Sequence, residues 1–337
     1  MTLNITMYSR NGCHLCEQAE DDLRALQDQY PHKLAILDLD ENPELEAAYG
    51  FEIPVIEVGP FTLKAPFDQK TLAVTLAAAQ DRLKYYASTD DAAYKKRRAR
   101  GSQISKADRF AAWFSKRYML LFNLFIFIYV GLPVLAPVLL NAGAEAPAKA
   151  IYRLYGGLCH QLSYRSIFLF GDQWVYPRAA AGLDQYTTFH NATGLDELGL
   201  LEARAYQGED GVGFKMALCQ RDMAIYAVML IFGLAFSLTG RRWKPLPLWA
   251  WLLFGLVPIG LDGGTQLVSM VLNSMQGSFW QTLAAAFPLR ESTPFLRILT
   301  GGLFGLTTAW FGYPLVEESM VETRILLTKK FAHLAEK

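Results

Sequence analysis

Between Tyr118 and Leu140 the chain runs for 23 positions without a charged side chain. As a helix rising about 1.5 Å per residue, this stretch is roughly 35 Å long, enough to cross a hydrocarbon core of about 30 Å. Further apolar stretches fall at 219–239, 246–268 and 298–316, so about four transmembrane helices are expected. Hydrophobic residues make up 52% of the chain and are unevenly spread, with most of the ordinary charged surface confined to residues 1–117. A length of 337 residues fits two domains. The formal charge of +0 leaves no global basic field, so no nucleic-acid partner is expected.

Basic residues orient the spans. Lys95, Lys96, Arg97, Arg98 and Arg100, with Lys116 and Arg117, precede the first apolar run. Arg241, Arg242 and Lys244 mark a second short loop, and Lys329 and Lys330 follow the fourth run. Cationic loops stay on the cytoplasmic side, so both termini are expected there, with 141–218 and 271–297 facing outward. The resulting division is a domain at 1–84, a basic linker at 85–117, a membrane domain at 118–320 with its outer loop at 141–218, and a tail at 321–337. Trp243, Trp249, Trp251, Trp280 and Trp310 read as interfacial anchors, and Gly301, Gly302 and Gly305 as helix-packing positions. No basic-then-apolar leader precedes the first strand, so no signal peptide is expected.

Residues 1–84 read as β-α-β-α-β-β-α: strand Leu3–Tyr8, helix Cys13–Asp28, strand Lys33–Asp38, helix Pro43–Tyr49, strands Val55–Val58 and Phe61–Leu63, and a helix from Asp68 to Lys84. The first strand leads into Cys13-His14-Leu15-Cys16, which places a thiol at a helix N-terminus, where free backbone N–H groups and the helix dipole favour thiolate. A second thiol three residues on can resolve a mixed disulfide. Zinc would need another ligand pair, and residues 1–117 contain no further cysteine. His14 reads as a surface residue that tunes the thiolate.

Polar residues collect at the outer ends of the apolar runs: Cys159-His160-Gln161 with Arg165-Ser166, then Cys219-Gln220-Arg221-Asp222, Asp262 to Gln266, and Arg290 to Thr293 with Arg297. Ionisable groups at that depth need partners, so Arg221, Arg290 or Arg297 should pair with Asp222, Asp262 or Glu291. Three assignments stay open for Cys159, His160 and Cys219. A Cys159–Cys219 disulfide could tie the outer loop to the second span. A metal site could form with Asp222 or Asp262, the ligand types suiting zinc. The two cysteines could instead act as a redox pair. No phosphate loop, dinucleotide fingerprint or His-Glu-x-x-His motif occurs.

With Gly12-Cys13-His14-Leu15-Cys16, Asp38–Asp40, Tyr49-Gly50 and Ile53-Pro54-Val55, residues 3–80 resemble the glutaredoxin-like branch of the thioredoxin superfamily. That resemblance implies an α/β thioredoxin-like fold, Cys13 as nucleophile, Cys16 as resolving thiol and Pro54 shaping the substrate groove. The double glycine that holds glutathione in many members is replaced by Gly59-Pro60-Phe61, which argues against glutathione. Residues 151–305, through Cys159-His160-Gln161, Cys219-x-Arg221, Asp262-Gly-x-Thr265-Gln266 and Arg290-Glu-Ser-Thr293, resemble a family of predicted bacterial and archaeal integral membrane proteins. This implies an all-α integral membrane domain in a bacterial or archaeal cell (inner) membrane. Asp222 stands where members often carry a second cysteine, and a polar insertion at about 172–213 separates the first two motifs.

The expected function is that of a membrane-tethered thiol–disulfide oxidoreductase whose partners are the lipid bilayer and a disulfide-containing protein or small thiol. The alternative is a transporter or a small-molecule- or metal-binding membrane protein with a regulatory redox domain. Direct exchange between Cys13 and Cys159 or Cys219 is disfavoured, because about 30 Å of hydrocarbon would separate sulfurs that must touch.

Overall fold

The structure is a computed structural model that describes residues 2–88, 92–275 and 277–335. The chain divides into two compact units, Met1–Arg117 with Glu318–Lys337, and Tyr118–Glu317.

In the first unit β1 (Leu3–Ser9), α1 (His14–Ala25), β2 (His32–Asp38), α2 (Pro43–Tyr49), β3 (Val55–Val58), β4 (Phe61–Lys64) and α3 (Gln69–Ser88) follow one another. The sheet order is β2-β1-β3-β4, with β1–β2 parallel and the other pairs antiparallel. This is the expected thioredoxin-like arrangement. The period-two pattern of β1 puts Leu3, Ile5 and Met7 on one face, where they pack with Ala19, Leu23, Leu72 and Leu76 of α1 and α3.

The opposite face is also covered. Tyr8, Leu37, Leu39, Leu45 and Val55 pack with Ile325 and Ala332 from the C-terminal helix. Thr6 hydrogen-bonds His333 at 2.9 Å, and Lys329 donates to Glu57 at 2.7 Å. The segment expected as a tail from residue 321 onward thus forms, over its described residues to 335, an ordered helical layer on this sheet. Residues 336–337 lie outside the described residues.

The described part of the segment expected as a linker is largely helical. It comprises the end of α3, α4 (Ala92–Gly101) and the start of α5 (Lys106–Asn141). Within the basic block, the side chains of Lys95, Arg97 and Arg98 lie outside the described residues.

The second unit continues α5 and adds α6 (Glu145–Tyr155), β5 (Ser166–Leu169), α7 (Phe189–Thr193), α8 (Leu200–Ala205), β6 (Gly208–Glu209), β7 (Gly213–Cys219) and α9 (Gln220–Leu238). α10 (Leu248–Trp251) passes through a π-helical turn, Leu252–Leu256, into α11 (Val257–Ser274). Pro258 cannot supply the next helical N–H, which accounts for the widened turn ahead of it. α12 (Ser278–Ala286) and α13 (Pro294–Ala335) close the chain.

Among the described residues three helices are long and apolar enough to cross a membrane: Lys106–Asn141, Gln220–Leu238 and Leu248–Ser274. The fourth expected span, 298–316, lies inside α13, where glycines, threonines and aromatic residues dilute its apolar character. The segment 141–218, expected as an outer loop, contributes most of an antiparallel sheet of order β5-β7-β6 to the otherwise helical unit.

Candidate functional site

The thiol site is set where β1 hands over to α1. Gly12 adopts a left-handed φ of +75°, which turns the chain so that Cys13 becomes the N-cap of α1. Its Sγ accepts the Cys16 backbone N–H at 3.3 Å, and Cys13 and Cys16 are joined as a disulfide with a Cα–Cα separation of 5.2 Å. Cys16 is buried and His14 exposed. Arg10, three residues upstream, pairs with Asp40 at 2.7 Å and Glu46 at 3.0 Å, so its charge is directed at carboxylates.

Pro54, in a cis peptide with Ile53, shares a shallow groove with Leu15, Gln18, Asp22, Pro66 and Phe67. Leu15 is half exposed (53%), leaving an apolar contact between the two cysteines. Behind β1, Glu57 accepts hydrogen bonds from Tyr8 at 3.2 Å and Tyr49 at 3.1 Å. Burial, reinforced by the neighbouring Glu57, pushes the Tyr8 phenol well above its ordinary range.

The second cluster lies in the other unit and is built on two carboxylates. Asp262 receives Arg221 at 2.5 Å, Ser292 at 2.6 Å and Arg290 at 2.8 Å. Glu291 receives Arg165 through both carboxylate oxygens, at 2.9 and 3.2 Å, Arg178 at 3.4 Å, and Arg297. Arg297 also reaches Gln266 at 3.4 Å and the Ser292 carbonyl at 3.0 Å. Five guanidiniums therefore converge on two carboxylates. Burial raises the Glu291 pKa, but Arg165, Arg297 and Arg178 outweigh it and hold the carboxyl below its ordinary range. The Nε atoms of Arg178 and Arg221, Gln266 Nε2 and the Tyr164 hydroxyl are buried without a hydrogen-bond partner. Gly301 makes room for this packing, since a Cβ there would lie 2.7 Å from the Arg221 carbonyl oxygen.

The residues expected to hold metal separate into two places. Cys159, Cys219 and Asp222 bring their ligand atoms within 4.8 Å of one another. Asp262 belongs instead to the arginine cluster, and His160 is exposed outside the trio. Of the three assignments left open for these cysteines, the Cys159–Cys219 disulfide is not formed, both thiols being free and half-buried. Of the expected ion pairs, Arg221 and Arg290 take Asp262 and Arg297 takes Glu291, while Asp222 faces the thiols. The Cys159 thiol is shifted down by its hydrogen bond with Cys219, against the opposing effects of burial and Asp222.

The loop carrying Cys159 is pinned by Gln161, which adopts a positive φ of 54° while its side-chain amide donates to the Tyr152 and Ala217 carbonyls, each at 2.9 Å. Lys215 is fully buried and donates to the carbonyls of Gln161 and Arg204, each at 2.7 Å, and to the Ser163 hydroxyl at 3.3 Å. Burial pushes its pKa down to about 7. Lys215 and Arg178 escaped sequence reasoning. A lone lysine inside the apolar strand Gly213–Cys219 was the available signal for the first, whereas Arg178 sits in the polar insertion with nothing to distinguish it.

Comparison with known proteins finds a separate family for each end of the chain. Residues 4–80 match the family described as glutaredoxin-like domain (DUF836), and residues 212–311 match predicted membrane protein (DUF2085). An uncharacterized protein of Methanocaldococcus jannaschii is 23% identical over 210 residues, 60% of this chain and 94% of its own length. A solved structural-genomics target, XcR50 from X. campestris, is 34% identical over 22% of this chain and 96% of its own, with a TM-score of 0.20. The chain thus joins an N-terminal glutaredoxin-like domain to a predicted membrane protein domain that associates it with a lipid bilayer.

Proposed function

We propose that the protein is a membrane-tethered thiol–disulfide oxidoreductase acting through Cys13 and Cys16. The observation that carries this reading is the Cys13–Cys16 disulfide at a strand-to-helix junction, with Cys13 capping α1. In the reduced protein the helix N-terminus favours a Cys13 thiolate. That thiolate attacks a partner disulfide, forming a mixed disulfide and releasing one partner sulfur, which takes up a proton. Cys16 then attacks the Cys13 sulfur and frees the second partner thiol. Two electrons pass to the partner, the Cys13–Cys16 disulfide closes, and an external dithiol restores the reduced pair. The groove lined by Pro54, Phe67 and Leu15, the residue between the two cysteines in sequence, offers a seat for an extended peptide or a small thiol. Glutathione is not assigned, because Gly59-Pro60-Phe61 replaces the double glycine. The charge pattern supports a bacterial or archaeal inner-membrane location with both termini cytoplasmic.

The test is reduction of a protein disulfide such as that of insulin by the detergent-solubilised full chain, driven by an external dithiol. Cys13→Ser should abolish turnover, and Cys16→Ser should accumulate the mixed disulfide. Failure of the parent chain to turn over while its Cys13–Cys16 disulfide is demonstrably reducible would refute the assignment. The surplus of guanidiniums around Asp262 and Glu291 favours a second reading, an anion-handling membrane domain regulated by the thiol unit. It predicts anion uptake or binding that changes with the redox state of Cys13 and Cys16.

A further inference from the structure

We propose that Cys159, Cys219 and Asp222 form a binding site for a thiophilic divalent cation of the zinc class, separate from the Cys13–Cys16 chemistry. The three donors arrive from different places in the fold. Cys159 follows α6, Cys219 ends β7 and caps α9, and Asp222 stands in the first turn of α9. Three atoms no more than 4.8 Å apart share a point at most about 2.8 Å from each, against about 2.3 Å for a zinc–sulfur bond and about 2.0–2.2 Å for zinc–oxygen. Side-chain movements well under an ångström therefore close the site, without backbone rearrangement.

Charge points the same way. Asp262, Glu291 and Glu317 are each paired with arginine, whereas no ion pair involves Asp222 among the described residues. Its carboxylate instead faces two sulfurs. Two thiolates and a carboxylate carry three negative charges, and a divalent cation leaves a single negative charge. Lys215 near Cys159 and Arg297 near Cys219 can balance that remainder. The donor set also selects the ion, because thiolates favour zinc-class metals over magnesium or calcium. Three protein donors leave a fourth tetrahedral position for water or an exogenous anion, as in zinc sites that keep an open coordination position. The surroundings are stiff, since Gln161 and Lys215 lock the loop that carries Cys159.

The experiment uses the full chain with Cys13→Ser and Cys16→Ser, solubilised in detergent under reducing conditions and titrated with cobalt(II) as the spectroscopic probe. One equivalent should bind, with thiolate-to-cobalt charge-transfer absorption that zinc abolishes by displacement. Cys159→Ser and Cys219→Ser should each lose that absorption. Asp222→Asn should keep the elution profile of the parent while weakening cobalt binding at least tenfold. Absence of the charge-transfer band in the parent overturns the site, as does a band that survives both cysteine substitutions. Undiminished affinity in a well-folded Asp222→Asn variant removes Asp222 as a ligand and overturns the three-donor assignment. Quantitative recovery of a Cys159–Cys219 disulfide that reductant does not open would replace the metal site with a cross-link.

Discussion

Removing the Glu291 carboxylate is the sharpest perturbation of the membrane-domain cluster. Glu291 is 7% exposed and serves three guanidiniums, of which Arg178 (6%) and Arg297 (4%) are themselves almost fully buried. Breaking one buried ion pair costs about 3–5 kcal/mol, because the surviving charge stays desolvated. Here Glu291→Ala strands several cations against one another. At an effective dielectric near 20, two unit charges about 6 Å apart repel by roughly 3 kcal/mol. A loss of about 4 kcal/mol in a unit spanning Tyr118–Glu317 corresponds to a fall in Tm of about 10 °C. Tryptophan fluorescence during heating in detergent reads this out directly. Glu291→Gln, which keeps an acceptor oxygen and the shape, should lose about half as much. Arg178→Met placed on Glu291→Ala should recover part of the loss, because it removes one of the stranded charges. If Glu291→Ala lowers Tm by less than about 2 °C, or if the Arg178 and Glu291 effects add without coupling, the ion cage described here does not hold the fold together.

Glu291 also makes stability depend on acid. Its folded pKa lies below the ordinary 4.5, so its contribution is complete above that pH and is lost as pH falls through the depressed value. An acid titration of Tm should show this loss in the parent and not in Glu291→Gln. Lys215 acts in the same sense in a higher pH window. With its pKa lowered from 10.5 to about 7, the unfolded chain binds more protons in that window, so stability should rise with pH across it and stay flat in Lys215→Met. Lys215→Met should also cost about 3 kcal/mol at neutral pH through the acceptors it leaves unsatisfied, measured as a Tm shift. A Cβ at Gly305 would strike the Ile225 backbone, so Gly305→Ala should destabilise by about 1–3 kcal/mol in the same assay. A fragment of residues 1–88 lacks Ile325 and Ala332 on its second sheet face. It should bind a hydrophobic dye that the fragment fused to 318–335 does not bind.

The thiol unit was legible because its signals are local. Strand alternation, a Cys-x-x-Cys at a helix start and Ile53-Pro54-Val55 lie within a few residues of the structure they specify. Its second face was not legible. Thr6 and Tyr8 read as the outward side of β1, and nothing near them announces that a helix more than 300 residues away will cover them. In the membrane half, residue types were readable and partners were not. Arg221, Asp262, Arg290, Glu291 and Arg297 stood out as costly charges, but which carboxylate takes which guanidinium depends on how α9, α11 and α13 pack. The polar insertion concealed more. Its contribution of Arg178 to Glu291, and its small sheet around the buried Lys215, arise from tertiary contacts that no periodicity in that segment encodes.

The covering of the thiol unit by residues 318–335 bears on the number of membrane crossings. The chain leaves that unit after Arg117 and rejoins it at Glu318. A unit kept on one side of a bilayer requires an even number of crossings between those points. Among the described residues three helices satisfy length and hydropathy, and three is odd, so the four-span arrangement expected from the sequence requires the stretch 298–316 within α13 as its remaining crossing. Its modest hydropathy then has a structural cause. Gly301 and Gly305 stand where a side chain would collide with the backbone of α9 at Arg221 and Ile225. Thr308 accepts a hydrogen bond from the Trp251 indole at 3.0 Å. Small and hydroxyl-bearing residues let helices approach closely in lipid. The composition that lowers the apolar score of this stretch is therefore the composition that seats it against its neighbours.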